Sequence, residues 1–438
     1  MQPVKLGLIG CGTVGTGVAR LLIEHRQLLA DRTGIPLDLK YVADLDRRTD
    51  RGVTFPPGVF IDDAWTVVND PEVDIVIEMI GGLGAAKELI EAAIAKGKQI
   101  VTANKALLAT HGNELMRAAA DAGVDLAYEA SVGGCMPIVK SLREALVANE
   151  IHGMVGILNG TCNYILSQIT ATGMPFEQAL AGAQANGYAE ADPTLDVEGI
   201  DTAHKLAILS ALAFGMRINL DDIYIEGIST ITPLDIQFAR DFGYRIKLLA
   251  ICKNHGDRVE ARVHPAMIPE HNILSHVSGS LNAITISGHA VDDLFLSGHG
   301  AGMLPTASAV LSDIIDLARN LRRGKTGRVP LMGYQPDRIQ PVPVMPMDDI
   351  VVHYYIRFSV QDRPGVLAAI AGILGDNAIS IQSVQQKDRK TNGWVPIVML
   401  THHAKEANIR KALREIGALS VVGPAPMLIR IEDPDARE

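Results

Sequence analysis

VKLGLIGCGTVGTGVARLL, residues 4–22, decides the fold. Its first six residues form a short apolar run of the kind a buried strand uses, and from Thr13 onward apolar residues recur at Val14, Val18, Leu21 and Leu22, which is helical spacing. Between the two, Gly10, Gly12 and Gly15 stand in the GxGxxG pattern. That pattern is informative only when a strand precedes it and a helix follows, as here. Gly10 allows the tight turn, Gly12 lets a pyrophosphate approach the backbone, and Gly15 lets helix and strand pack closely, so that the first amides of the helix face the phosphates. A dinucleotide site is the expectation, and a glycine turn without a ligand is the alternative.

The rhythm continues outward from this turn. Strand-like segments at 37–43, 73–77, 99–102 and 124–128 alternate with helix-like stretches such as 84–96 and 113–122, which predicts a Rossmann-type, doubly wound parallel sheet over residues 1–130. At the end of the second strand, Asp44 is placed to bind the adenosine ribose hydroxyls and to repel a 2′-phosphate, whereas Arg47 and Arg48 could pair with that phosphate. NAD versus NADP stays open at this point.

Beyond residue 130 helical segments near 136–147, 161–171, 175–186 and 200–215 precede strand-like 244–252 and 281–287, as in an α+β unit running over 131–304. A helix near 305–322 is expected to return to the first domain. Pro330, Pro336, Pro341, Pro343 and Pro346 mark 323–349 as an extended linker. Residues 350–438 then read as strand, helix, two strands, helix and strand, a ferredoxin-like βαββαβ module. Separated by the linker and without a catalytic cluster, it reads as a regulatory attachment.

Composition narrows the function classes. The chain has 438 residues, 47% of them hydrophobic, and a formal charge of −10, which offers no general attraction to nucleic acid or anionic lipid. Four cysteines without a CxxC pair argue against a disulfide scaffold or a structural zinc site, and a reducing cytoplasm fits. The N-terminus lacks the pattern of a signal peptide. The most apolar helical stretch, Leu206 to Phe214, is about half the length needed to cross a bilayer and reads as a buried helix.

Candidates for the chemistry follow from position. Lys105 lies just past the fourth strand, where open α/β sheets bind their ligands. The acidic loop 187–196, with Glu190, Asp192 and Asp196, leads into a helix carrying Asp201, His204 and Lys205. Asp201 and Lys205, four apart, share a helical face. They are either a surface ion pair or a site in which carboxylates hold a substrate ammonium and a lysine moves the proton that accompanies hydride transfer. The turn from Glu129 to Pro137 could direct carbonyls at a hard cation or be a structural junction. The 13 histidines show no HExxH.

Six segments together resemble homoserine dehydrogenase, and the likeness covers nearly the whole chain: GLIGCGTVGTGV (7–18), VTANKALLATHG (101–112), YEASVGGCMPI (128–138), ILNGTCNYIL (157–166), GYAEADPTLDVEGIDTAHKLAIL (187–209) and GAGMLPTASAVLSDI (300–314). The resemblance implies interconversion of L-aspartate 4-semialdehyde and L-homoserine, on the route to threonine, methionine and isoleucine, with NADP or NAD. It implies that Thr13, Val14, Lys105 and Gly302 contact the cofactor, that Glu190 and Asp201 bind the substrate, and that Lys205 donates the proton. It further implies a monovalent cation, sodium being the first choice, near the Glu129 side chain and the carbonyls of Val132, Gly134 and Met136, with Cys135 where a glycine is usual. The third unit resembles an ACT domain through Asp362-Arg363-Pro364-Gly365-Val366-Leu367, with Asp362 and Gly365 as regulatory positions and L-threonine as the expected effector. A homodimer or homotetramer is implied. The rivals are a semialdehyde dehydrogenase that forms a thioester through Cys135 or Cys162, and a non-catalytic amino-acid sensor.

Overall fold

The computed structural model describes residues 2–386, 394–423 and 425–433. The first sheet has six strands in the order Phe60–Ile61, Leu37–Ala43, Val4–Ile9, Ile75–Glu78, Gln99–Thr102 and Leu126–Ala127, every pair parallel. Side chains of these strands alternate between two cores. Leu6, Leu8, Ile75, Ile77 and Val101 pack with the helices Thr13–Glu24 and Met303–Arg322, while Ile9, Val76 and Ile100 pack with Gly84–Ala95 and Lys105–Ala122. Burial on both faces explains why the strands read as unbroken apolar runs. The strand order reverses between Val4–Ile9 and Ile75–Glu78, which opens a crevice at their carboxyl ends.

Met303–Arg322 is the returning helix. It packs along Thr13–Glu24, and at Gly17 the approach leaves no room for a side chain, since a Cβ there would lie 2.7 Å from the Met303 carbonyl oxygen. The expected 136–147 helix is a short α-turn, Ile138–Lys140, continued by a wider π-turn, Ser141–Ala145. Three further strands, Ile151–Ile157, Val259–Pro269 and Asp292–His299, escape the sequence reading. Val259–Pro269 is enclosed along its whole length yet carries Glu260, Arg262 and His264, whose charges disguise it.

The second sheet has eleven strands, and it does not end at the second domain. From Asp292–His299 it runs through Leu281–Gly288, Ile151–Ile157, Tyr244–Asn254 and Val259–Pro269, then directly into Met427–Ile431, Val351–Gln361, Trp394–Thr401 and Ile381–Gln386 of the βαββαβ unit. The join is a parallel pairing, Ala266 with Arg430 and Met267 with Ile431. Buried ion pairs reinforce it. Arg262 binds Glu260 and Glu432, both at 2.7 Å, and Arg430 binds Glu406 at 2.6 Å and Glu226 at 2.7 Å. Asp235, fully enclosed, takes two guanidinium bonds from Arg357 at 2.6 and 3.0 Å and the Tyr355 hydroxyl at 3.0 Å.

The 323–349 segment does not set the C-terminal unit apart, because that unit extends the same sheet. The segment 323–349 is also held, although it contains only two short 3-10 turns. Met332 is buried, Leu331 accepts the Tyr128 hydroxyl at 2.7 Å, and bridges tie Gln340 to Met216 and Val344 to Val259. Prolines excluded helix and strand here without preventing packing. No helix among the described residues is long and apolar enough to cross a membrane.

Arg357→Ala strips the buried Asp235 carboxylate of its cation. The expected cost is about 3–5 kcal/mol, read as a lower denaturant midpoint, and an unchanged midpoint would contradict the role given to this junction.

Candidate active site

At the glycine turn each glycine has its own reason. Gly10 adopts φ +94°, and a Cβ on it would meet the Met79 backbone at 2.6 Å. A Cβ on Gly15 would run into the Gly10 carbonyl, whereas the space over Gly12 is open. The helix Thr13–Glu24 begins without a side-chain cap, so its first amides face outward beside exposed Thr13 and half-buried Val14. An uncapped helix start of this kind suits an anion.

Asp44 braces the turn: one carboxylate oxygen accepts the Cys11 amide at 2.6 Å, and the other accepts the Asp46 amide at 2.8 Å. Arg51, which the sequence reading passed over, lies 3.4 Å from Asp44 and donates to the Cys11 carbonyl at 2.7 Å. Arg47 instead points out to Asp62 at 3.1 Å, both largely exposed. Across the crevice, the enclosed Glu78 accepts the amides of Ile80 and Gly81, each at 2.9 Å, and the Thr102 hydroxyl at 2.6 Å. Thr102 in turn receives the Asn104 amide at 3.0 Å, and Asn104 caps the helix that Lys105 begins. Glu78 carries no local motif that would have flagged it, and Thr102 stands in a quoted segment without being singled out there.

Lys105 reaches out of this crevice to the second domain. Its Nζ lies 3.0 Å from one oxygen of Asp201, and the Lys205 Nζ lies 2.6 Å from the other. The Asp201–Lys205 pair is thus enclosed, with both side chains under a tenth exposed, rather than a surface pair. Lys205 also donates to the Leu158 carbonyl at 2.7 Å, and Asn159 Nδ2 donates to Asp201 at 2.9 Å and to Asp196 at 2.7 Å. Burial opposes a charge on Asp201, but the ammonium groups of Lys205 and Lys105 outweigh it and hold the carboxyl below the usual carboxylate range. Burial lowers the Lys205 pKa despite Asp201, while Asp201 raises that of the more exposed Lys105. Asp196 is pushed up by burial.

The loop 187–196 closes one side. Glu190 is exposed, near enough to Lys105 to contribute to raising its pKa, and Tyr188 accepts the Thr161 hydroxyl at 2.6 Å. Asp192 only caps Thr194. On the other side Gly302, φ +127°, starts the returning helix. The structure brings together Lys105, Asp201 and Lys205, with Glu190 nearby, and adds Asn159, Thr161 and Asp196, which stand in quoted segments but only three-dimensional contact singles out.

Glu129 lies apart from this cluster. Its carboxylate accepts the amides of Val139 at 3.0 Å and Lys140 at 2.7 Å, and its own amide donates to Asp313 at 2.8 Å. Burial, aided by Asp313, pushes the Glu129 carboxyl up to about 7. The Met136 carbonyl accepts the Ile138 amide at 2.8 Å, while Val132 and Met136 are buried around the turn. The positive φ values fall on Gly133 and Gly134 and not on Cys135, so the cysteine sits there without strain. Among the described residues, no group of three or more His, Cys, Asp and Glu side chains could hold a metal ion. Of the two cysteines of the thioester rival, Cys162 is buried, its thiol bonds the Asp196 carbonyl at 3.1 Å, and burial pushes its pKa well up, while Cys135 is exposed.

Comparison with known proteins places the chain among known relatives. The family model described as "Homoserine dehydrogenase" matches residues 137–315, "Homoserine dehydrogenase, NAD binding domain" matches 10–129, and "ACT domain" matches 354–421. The chain is 43% identical over 432 residues to a homoserine dehydrogenase of Neisseria gonorrhoeae and 42% identical over 435 residues to one of Pseudomonas aeruginosa, with 99% of each chain covered in both cases. The crystal structure of a homoserine dehydrogenase from Thiobacillus denitrificans superposes with a TM-score of 0.93 at 44% identity, covering 99% of both chains.

Gly12→Ala is expected to leave the unfolding midpoint near that of the wild type and to weaken dinucleotide binding, whereas Gly15→Ala lowers the midpoint as well. Thermal melts with and without coenzyme separate the two, and equal behaviour would contradict the distinct roles given to them.

Proposed function

The chain belongs to the homoserine dehydrogenase family, and from that premise we propose that Lys205, Asp201, Lys105 and Glu190 carry its reaction, the reversible reduction of L-aspartate 4-semialdehyde to L-homoserine. It is an NAD(P)-dependent oxidoreductase acting on a CH–OH group, with an ACT domain at its C-terminus. The observation that carries the residue assignment is the Lys105–Asp201–Lys205 chain, at 3.0 and 2.6 Å, in which Asp201 and Lys205 are enclosed, beside the carboxyl ends of the parallel strands.

The donor set fits a nicotinamide dinucleotide: an open glycine at a helix start, Thr13 and Val14 beside it, and Gly302 on the returning loop. When bound, the nicotinamide supplies the hydride that reduces the aldehyde carbon. Lys205 Nζ gives its proton to the developing alkoxide, and its lowered pKa makes it a readier donor than an ordinary lysine. Asp201 keeps Lys205 charged and aimed, and Glu190 and Asp196 supply negative charge for the substrate ammonium. Arg51 beside Asp44 offsets the repulsion that Asp44 alone would exert on a 2′-phosphate, which supports acceptance of NADP as well as NAD. Glu129 with Asp313 forms a buried acidic pair facing Lys140 at 3.4 Å from Asp313, and that acid surplus supports a monovalent cation at the Val132, Gly134 and Met136 carbonyls.

For regulation, we infer an amino-acid effector, threonine in the first instance, at Asp362 and Gly365. Gly365, φ +89°, begins the helix Val366–Asp376 with open space over it, so a carboxylate can approach the backbone. A homo-oligomer is supported by Asp292–His299 standing outermost in its sheet, with no further strand beyond it among the described residues. Four free cysteines suit a reducing cytoplasm.

Lys205→Ala should lower turnover by at least about 10² with the fold intact, and near-normal turnover would remove Lys205 from the mechanism. Because the donor must be protonated and its pKa is lowered, aldehyde reduction should fall as pH rises, with an apparent pKa below that of ordinary lysine. A profile flat up to that value would sink the proposal. Homoserine oxidation followed at 340 nm with NAD and NADP in parallel, with and without millimolar threonine, tests coenzyme choice and regulation; activity indifferent to threonine and no binding of it would dismiss this effector.

A further inference from the structure

Asn282 stands near the start of the strand Leu281–Gly288 and is fully enclosed, at 0% exposure. Among the described residues neither its Nδ2 nor its Oδ1 has a hydrogen-bond partner. Its backbone is regularly placed opposite Gly298, and its carbonyl accepts the Ser297 hydroxyl at 3.2 Å. The carboxamide alone is left unmatched. It is pressed against Gly300 so closely that a Cβ there would overlap the amide, and a Cβ on Gly160 would lie 3.6 Å from its Oδ1.

Those two glycines belong to the two halves of the site. Gly160 opens the helix capped by Asn159, which binds Asp201 and Asp196. Gly300 begins the short run Gly300-Ala301-Gly302, which leads to the helix packed along Thr13–Glu24, the helix that follows the glycine turn. The run is anchored just before its start, where the His299 carbonyl accepts the Cys135 amide at 3.2 Å, and beyond that point Ala301 and Gly302 are exposed. An enclosed amide without partners destabilises the state in which it is found, and an apolar side chain of similar size would not. Such a group is retained where another state makes use of it.

We propose that Asn282 is a positioning residue for the coenzyme: with the dinucleotide at the glycine turn, peptide groups of Gly300–Gly302 turn onto the Asn282 amide, which fixes this loop against the bound coenzyme. The inference rests on the coenzyme occupying the glycine turn. Hydrogen bonds made only in the loaded state draw on binding free energy, so their loss appears in coenzyme affinity and not in the stability of the empty protein.

The test compares wild type with Asn282→Leu and Asn282→Ala by melting of the coenzyme-free protein and by fluorescence titration with NADPH and NADH. For Asn282→Leu the expected result is a melting temperature no lower than wild type together with about a tenfold weaker dissociation constant. KM for homoserine at saturating coenzyme should not move. Unchanged coenzyme affinity in both variants overturns the proposal, whether the melting temperature rises or falls. Should Asn282→Leu fail to fold, Asn282→Ala is read on the same titration, and hydrogen exchange of residues 299–302 in the wild type must slow when coenzyme is added. A wild-type protein that binds neither coenzyme defeats the coenzyme reading itself, which the titration separates from failure of Asn282 alone.

Discussion

Everything at this site hangs on one buried carboxylate. Asp201 has almost no solvent to stabilise its charge and is kept ionised by two lysines approaching from different parts of the chain. Lys205 comes from its own helix, one turn on, whereas Lys105 comes from the first residue of a helix in the nucleotide-binding domain. Removing either cation would leave a charge that burial makes expensive. The same interaction therefore joins the two domains and opposes the burial that lowers the Lys205 pKa.

A comparable economy governs the C-terminal module. It resembles a detachable sensor in sequence, yet its last strand pairs with the buried strand Val259–Pro269, and Arg262, Arg430 and Asp235 find their counter-charges across that join. Glu226, the partner of Arg430, is followed by Gly227, which packs tightly on Glu198, and by Ile228, whose amide bonds the Val197 carbonyl at 2.8 Å beside Asp196. The ACT strands are thus connected to the acidic loop through covalent and hydrogen-bonded neighbours. Two-state coupling along this route would not need a long chain of side chains, because the elements are adjacent.

The fold class was open to inspection from residues 4–22 because parallel strands buried on both faces need continuous apolar runs, and a dinucleotide turn needs glycines at fixed offsets. The helices Thr13–Glu24 and Gly84–Ala95 and the strands Val4–Ile9 and Leu37–Ala43 fall within a residue or so of where periodicity puts them. Val259–Pro269 was illegible for the opposite reason. Its charged side chains are buried by partners more than a hundred residues away, such as Glu432, and no local pattern announces a distant counter-ion.

The site divides in the same way. Local order by itself determined the glycine turn, the shared helical face of Asp201 and Lys205, and the βαββαβ succession of the last module, since each depends on spacing within one or two elements. Only the tertiary structure decided that the Asp201–Lys205 pair is enclosed, that Lys105 completes it, that Asn159 and Asp196 belong beside it, that Arg51 and not Arg47 faces Asp44, and that the module shares a sheet with the catalytic half. Burial and pairing between distant segments set these outcomes, because the electrostatic worth of a charge depends on the solvent it has lost, and that loss is a property of the packed molecule.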